Sequence, residues 1–401
     1  MGRESLESAL NRLIAEERMS RRRFIGRAGS AAVAASALSY LAACGGAEGT
    51  AEQNATATPQ AEVDHPKTEL GTIVFANWPL YIDKAVIKDF EKQFAGATLK
   101  YTEEINDNTE FFGKVRQPLE QDRAIGRDIV VLTDWMAARW IRLGYNEPLD
   151  RDNIPNASNL RANLVDVPFD QGRKHSLPWQ SGMTGIGYDK RQVDAPPTME
   201  TLWDPKYKGK VTALTEARDT LGLILLQQGK DPSKATADDI QGAIDFLAEQ
   251  NDKGQIRRFT GNEYTTDLAK GNVAMAIAWS GDMIQLKADN PNLDFVVPES
   301  GAMLWSDNML IPQKAASPYG AEVVMNYVYE PEVAAKIAAW VNYVTPVEGA
   351  KEILTKTDED LANNELIFPS EETLQNLHVF ADIDLETEQQ MNEGFQAVVG
   401  G

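Results

Sequence analysis

The stretch TIVFANWPLYIDKAVIKDFEKQFAGATLKYTEEINDNTEFFGKVRQPLEQDRAIGRDIVVLTDWMAARWIRL (residues 72–143) decides the fold, because its apolar residues keep changing period. Thr72-Ile73-Val74-Phe75 is an unbroken run of buried-strand character, and Asp83 to Phe94 then repeats its apolar residues at the spacing of one helix face. A strand at Thr98 to Thr102, a helix at Thr109 to Gln121, a strand at Asp128 to Leu132 and a helix from about Trp135 to Leu143 follow. Alternation of this kind reads as βαβαβ, a parallel sheet wrapped by helices, since parallel neighbours need a crossover long enough to hold a helix.

Working outward, a segment rich in Asn, Asp and Pro breaks the pattern at about Leu149 to Arg173, ahead of the strand-like run SLPWQSGMTGIGY (176–188). The alternation then resumes with strands at Lys210 to Leu214, Val273 to Ala278, Leu293 to Val297 and Met303 to Ile311. Helices are expected at Asp219 to Gln228, Ala237 to Gln250, Pro318 to Val328 and Pro331 to Ala339. Two α/β lobes joined by more than one extended crossing make a hinged clamp, an architecture that closes on something small.

The N-terminal side carries an address rather than a fold. SRRRFIGRAGSAAVAASALSYLAAC (20–44) places paired arginines before Phe24 and Ile25 and then a small-residue apolar run too short to span a bilayer, the pattern of a twin-arginine export signal. Leu41-Ala42-Ala43-Cys44 reads as a lipoprotein processing box in which Cys44, the single cysteine, becomes the acylated first residue. GGAEGTAEQNATATPQAEVDHP (45–66) has the composition of a flexible tether. Loss of residues 1–43 removes seven Arg and four Glu, leaving 32 basic against 56 acidic side chains and a net charge of about −24. Such a balance argues against nucleic acid as a partner and favours small cations. The expected organisation is therefore a signal over 1–44, a tether over 45–66, one lobe from 67–180 with about 308–345, and a second from 181–307, to which 346–401 are added.

In open parallel sheets ligands sit beyond the carboxyl ends of the strands. Here those ends are Asn77-Trp78-Pro79-Leu80-Tyr81, Thr133-Asp134-Trp135, Thr215-Glu216-Ala217-Arg218-Asp219 and Trp279-Ser280-Gly281-Asp282, with Trp305-Ser306-Asp307 on the crossing run. Rings beside carboxylates suit an organic cation with a methylene chain. Each ammonium gains a charge-assisted hydrogen bond of about 1.5–3 kcal/mol and roughly 0.5–2 kcal/mol from a ring face, while each buried methylene adds about 0.8 kcal/mol. Asp134 and Asp282 also read as first-turn acids that favour a helix N-terminus, and each tryptophan taken singly also reads as packing.

NWPLY (77–81), SLPWQSGMTGIGYD (176–189), LWDPKYKGKV (202–211), LTEARD (214–219), AIAWSGD (276–282) and LWSDNMLIP (304–312) together resemble, in order and spacing, the extracellular spermidine/putrescine-binding proteins of ABC importers. The resemblance covers roughly residues 70–345. It implies a type II periplasmic-binding-protein clamp, with each lobe a mainly parallel sheet flanked by helices, in which Trp78, Tyr81, Trp279 and Trp305 line a polyamine chain. It implies that Asp307 holds one terminal amine and that Glu216 and Asp219 engage the others, with Thr133, Trp135 and Tyr343 also at the ligand. It further implies an ABC permease and its ATPase as partners and no cofactor, while monomer is the default for a clamp that must open. Trp135 stands where the family often has tyrosine, and Glu216 and Asp219 reverse the family's familiar Asp-then-Glu order. These departures bear on ligand length rather than ligand class. Beyond about Pro346 no residue is carried over, and His378 and Asp382 are candidates for the rim alone.

Other readings are weaker. A hydrolase would need a nucleophile or metal cluster, yet no GxSxG occurs and His65, His175 and His378 lack ligand spacing. No GxxxxGK[ST] occurs, so ATP chemistry would belong to a partner. His175, beside Lys174, reads as solvent-facing or as a hinge residue. A ferric-ion clamp would want oxygen ligands, whereas indole cannot ligate a metal. Another small organic cation or amino compound stays open, and a carboxylate-bearing one would find Arg218 nearby.

Overall fold

The computed structural model describes residues 63–400 apart from 195 and 382; the export signal, Cys44, most of the tether and Asp382 lie outside the described residues. The N-terminal half contains β1 (Thr72–Asn77), α1 (Lys84–Gln93), β2 (Thr98–Glu103), α2 (Asn108–Glu120), β3 (Ile129–Thr133), α3 (Asp134–Leu143), and short strands β4 (Asn146–Glu147), β5 (Asp166–Val167) and β6 (Asp170–Gln171). Next come β7 (Leu177–Asp189), α4 (Met199–Leu202), β8 (Val211–Leu214), α5 (Ala217–Gln227), α6 (Ala237–Asp252), β9 (Ile256–Thr260), α7 (Tyr264–Ala269), β10 (Met275–Trp279), α8 (Ser280–Asp289), β11 (Leu293–Val296) and β12 (Ala302–Pro312). The chain ends with α9 (Pro318–Val328), α10 (Pro331–Val341), α11 (Ala350–Thr357), α12 (Glu359–Ala362), α13 (Glu371–Gln375), β13 (Leu377–His378) and α14 (Leu385–Val399).

Strand order is β2-β1-β3-β12-β7-β10-β8-β9. The β1–β2 and β1–β3 pairs are parallel, as are β8–β9 and β8–β10, so each end of the sheet is a βαβ-built lobe. Between them β12 and β7 run antiparallel to each other and to their outer neighbours, and they are the extended crossings. Every residue of β7 is buried, as expected of a central strand covered on both faces. Its register against β12 slips between Asp307 and Asn308, so that Gln180 faces Asp307 while Pro178 faces Asn308. A bulge bends a strand and re-aims its side chains, and here it falls at a candidate ligand residue.

The helices start where the chain supplies caps. Asp83 accepts from the Ala85 amide at α1, Asp107 from the Glu110 amide at α2, and Thr236 with Asp239 forms a reciprocal box at α6. Gly144 closes α3 at φ 71°, a left-handed conformation that costs glycine little. Two elements run against the sequence expectation. The tether was expected to reach Pro66, but His65 is already docked, its Nδ1 2.7 Å from Glu322 Oε1 and its amide donating to Asp150. Residues 346–401 divide: α11 packs on α10, whereas α14 packs on α6 and α5.

Candidate functional site

The strand-to-helix turns place the polar groups. Asp134 opens α3, Glu216 precedes α5 with Asp219 in its first turn, and Asp282 lies in the first turn of α8. Each amide-rich helix start favours negative charge, so the helix-start reading and the cation-site reading of these acids are compatible. The loops converge on one cavity of about 550 Å³ whose lining includes all ten candidate residues: Trp78, Tyr81, Thr133, Trp135, Glu216, Asp219, Trp279, Trp305, Asp307 and Tyr343.

Three indoles cross at its centre. Trp279 meets Trp78 edge-on at 6.1 Å and Trp305 at 6.5 Å, and Trp305 meets Tyr343 at 5.4 Å. Edge-to-face crossing leaves ring faces directed at the space between them. Each indole N–H is tied off: Trp78 donates to the Val131 carbonyl, Trp279 to Asp219 Oδ2 at 2.9 Å, and Trp305 to Thr184. The rings depend on two glycines. A Cβ at Gly182 would lie 2.4 Å from the Trp305 ring, and one at Gly281 would lie 2.5 Å from Tyr343.

Asp307, 4% exposed, accepts from Tyr81 Oη at 2.9 Å and from Thr133 Oγ1 at 2.8 Å. Burial pushes its carboxyl up to about 7, with the charges of Asp134 and Asp219 adding to the effect against those two hydrogen bonds. Burial likewise lifts Asp219 and Asp134 to about 6 each. Glu216 is driven well above the ordinary carboxylate range by burial, with Asp107 and Asp219 contributing. Its Oε1 accepts from both the backbone and the side-chain amide of Asn108 at 3.0 and 3.1 Å. Asn108 also donates to Thr133 Oγ1, completing a chain of hydrogen bonds from Glu216 to Asp307.

Residue order alone does not single out Asn108, the first residue of α2, Asn262, in the turn before α7, or Thr184, one polar position within the otherwise legible strand β7. It ranked Asp282 as a helix-start acid, yet Asp282 also accepts from Tyr264 Oη at 2.7 Å, Asn262 Nδ2 at 2.9 Å and Tyr343 Oη at 3.2 Å, so it holds two of the rings. Trp135 lines the cavity with the guanidinium of Arg218 4.1 Å from its ring centre. His378 pairs with Met303 through β13 and β12, and His175 is half-buried beside Asn146, with burial lowering its pKa.

These raised values set a pH dependence. Unfolded carboxyls titrate near about 4, so a folded-state pKa of about 6 or 7 gives stabilisation that is present below pH 4 and lost as pH rises through 7. The unliganded protein should therefore melt at lower temperature at pH 8 than at pH 5.5, and Asp307→Asn should flatten that slope in scanning calorimetry. Identical slopes in the two proteins would show that Asp307 does not carry the effect.

The model of the bacterial extracellular solute-binding protein family matches residues 85–369. The chain is 25% identical over 307 residues to the spermidine/putrescine-binding periplasmic protein of Escherichia coli K12, covering 76% of this chain and 85% of that one. It is 28% identical over 323 residues to that organism's putrescine-binding periplasmic protein, covering 75% and 84%. Among solved structures, the spermidine/putrescine ABC transporter substrate-binding protein of Streptococcus pneumoniae superposes with a TM-score of 0.67 at 27% identity, over 82% of this chain and 98% of that one. With two α/β lobes around a shared cleft and a family match over most of the described residues, this chain belongs to the bacterial extracellular solute-binding proteins.

Proposed function

We propose that this protein is a lipid-anchored extracytoplasmic receptor that captures a polyamine between its two lobes and delivers it to an ABC permease driven by a partner ATPase. One observation carries the reading: Asp307, Asp219, Asp282 and Glu216 border a single cavity together with Trp78, Trp279 and Trp305. Buried carboxylates without a cation are costly, and their raised pKa values express that cost. An alkyl chain ending in ammonium groups supplies the missing charge and fills the space between the rings. In this reading Asp307, fixed by Tyr81 and Thr133, holds one terminal ammonium, while Asp219 and Glu216 face the other end. Trp78, Trp279, Trp305 and Tyr343 enclose the methylenes, and the receptor works as a monomer without catalysis or cofactor. The Escherichia coli relatives, a spermidine/putrescine-binding and a putrescine-binding periplasmic protein, support the same ligand class.

The amine is favoured over a ferric ion because Trp78, Trp279 and Trp305 dominate the cavity wall, and an indole can pack on a methylene chain but cannot ligate a metal. Titration followed by intrinsic tryptophan fluorescence tests the choice: a saturable change with putrescine or spermidine and none with Fe(III) is expected, and the reverse would overturn it.

In this reading the anchor is Cys44, at the end of the processing-box sequence Leu41-Ala42-Ala43-Cys44. Cys44→Ser should abolish incorporation of labelled palmitate and move the protein from the membrane pellet to the soluble fraction. Retention in the pellet would refute lipidation as the means of attachment.

A further inference from the structure

The cavity is not acidic throughout. Toward solvent, Glu388 of α14, itself 3% exposed, meets three guanidinium groups. Arg218 Nη2 donates to its Oε1 at 2.8 Å, and Arg139 Nη2 and Arg142 Nη2 lie 2.7 and 3.6 Å from its Oε2. Arg139 and Arg142 extend from α3 on one side of the cleft and Arg218 from α5 on the other. One carboxylate among three guanidinium groups leaves this cluster with an excess of positive charge. Arg218 spreads over the face of Trp135, so that the ring is already occupied by a cation of the protein's own, and its buried Nε has no hydrogen-bond partner. Arg142, with 42% of its side chain exposed, marks the solvent side of the cluster. Arg142, Arg218, Trp135 and Glu388 line the same cavity as Asp307 and Trp279.

We infer that the cleft is graded in charge, acidic within and walled by Arg218 and Arg142 at its mouth, with Arg139 adding positive charge behind them through Glu388, and that Arg218 and Arg142 limit the amine to a short diamine. A triamine threaded from Asp307 would bring a further ammonium toward the guanidinium groups, where like charges at close range in a partly desolvated site repel strongly. Specificity of this kind comes from the repulsive element as much as from the attractive ones. The inference rests on the amine reading above and adds the length of ligand and the residues that set it.

Calorimetric titration of the wild type, Arg218→Gln and Arg142→Gln with putrescine and spermidine tests it. The wild type should prefer putrescine by at least tenfold. Arg218→Gln should shift the ratio toward spermidine by fivefold or more, and Arg142→Gln in the same direction by less. Should Arg218→Gln fail to fold, the half-exposed Arg142→Gln decides. A wild type that binds spermidine as well as putrescine, or a ratio identical in all folded variants, overturns the inference while leaving the amine reading standing. Tighter binding of 4-aminobutyrate than of putrescine would also overturn it, by showing a mouth built for an anion. A wild type silent to both amines ends the amine reading, and this inference with it.

Discussion

Asp307→Asn should weaken amine binding by at least tenfold and, at pH 8, raise the melting temperature of the unliganded protein. The two effects share one cause. Asp307 is buried against Tyr81 and Thr133, and its carboxyl, pushed up to about 7, is ionised at pH 8 with only hydroxyl donors to stabilise it. An ammonium ligand supplies the counter-charge, and its loss in the amide variant removes a charge-assisted hydrogen bond of about 1.5–3 kcal/mol. Without ligand the same substitution removes an uncompensated charge, at about 1.4 kcal/mol per unit of pKa shift, while the amide oxygen still accepts one hydrogen bond. Binding and melting measured on the same preparation separate this from ordinary damage. A variant that loses both affinity and stability would mark Asp307 as structural, and unchanged affinity would remove it from the site.

Trp279→Ala should be the most damaging single change in the cleft. The ring touches Trp78, Trp305 and Tyr264, the last at 6.0 Å, and its N–H donates to Asp219 at 2.9 Å. Deletion of a buried Trp side chain costs about 3–5 kcal/mol, enough to lower the unfolding midpoint in urea severely. The lost wall and the freed Asp219 should reduce amine affinity by two orders of magnitude or more. Trp279→Phe provides the control: it keeps a ring but not the indole N–H, so it should retain most of the stability and still bind measurably more weakly. A Trp279→Phe variant with wild-type affinity would show that orientation of Asp219 by the indole is unimportant.

Much of this site was legible from residue order alone, and the reason is topological. Parallel strands deliver their C-terminal turns to one edge, so reading the residues after each apolar run reached Trp78, Thr133, Glu216, Asp219 and Trp279 without coordinates. All five line the same cavity. Asp307 was reached from the crossing run, but not the bulge that aims it, because a slip of register leaves no mark on alternation. The helix Ser280–Asp289 went unread, its apolar residues too evenly spread to show one face, and the strand Ile256–Thr260 was hidden by Arg257 and Arg258. The hydrogen-bond chain through Asn108 and the arginine cluster on Glu388 were beyond reach for a different reason. Each joins residues far apart in sequence, Asn108 with Glu216 and Arg139 with Glu388, and no local pattern encodes such meetings.

Isothermal titration of the folded body with putrescine at pH 7.5 tests the central claim most directly, that buried carboxylates and crossed indoles in one cleft neutralise a chain-like cation. A saturable heat with one site per molecule and a dissociation constant in the micromolar range or below is expected, since two paired ammoniums and four buried methylenes should exceed the entropic cost of binding. No heat with putrescine, spermidine or spermine, from protein shown to be folded, would contradict it.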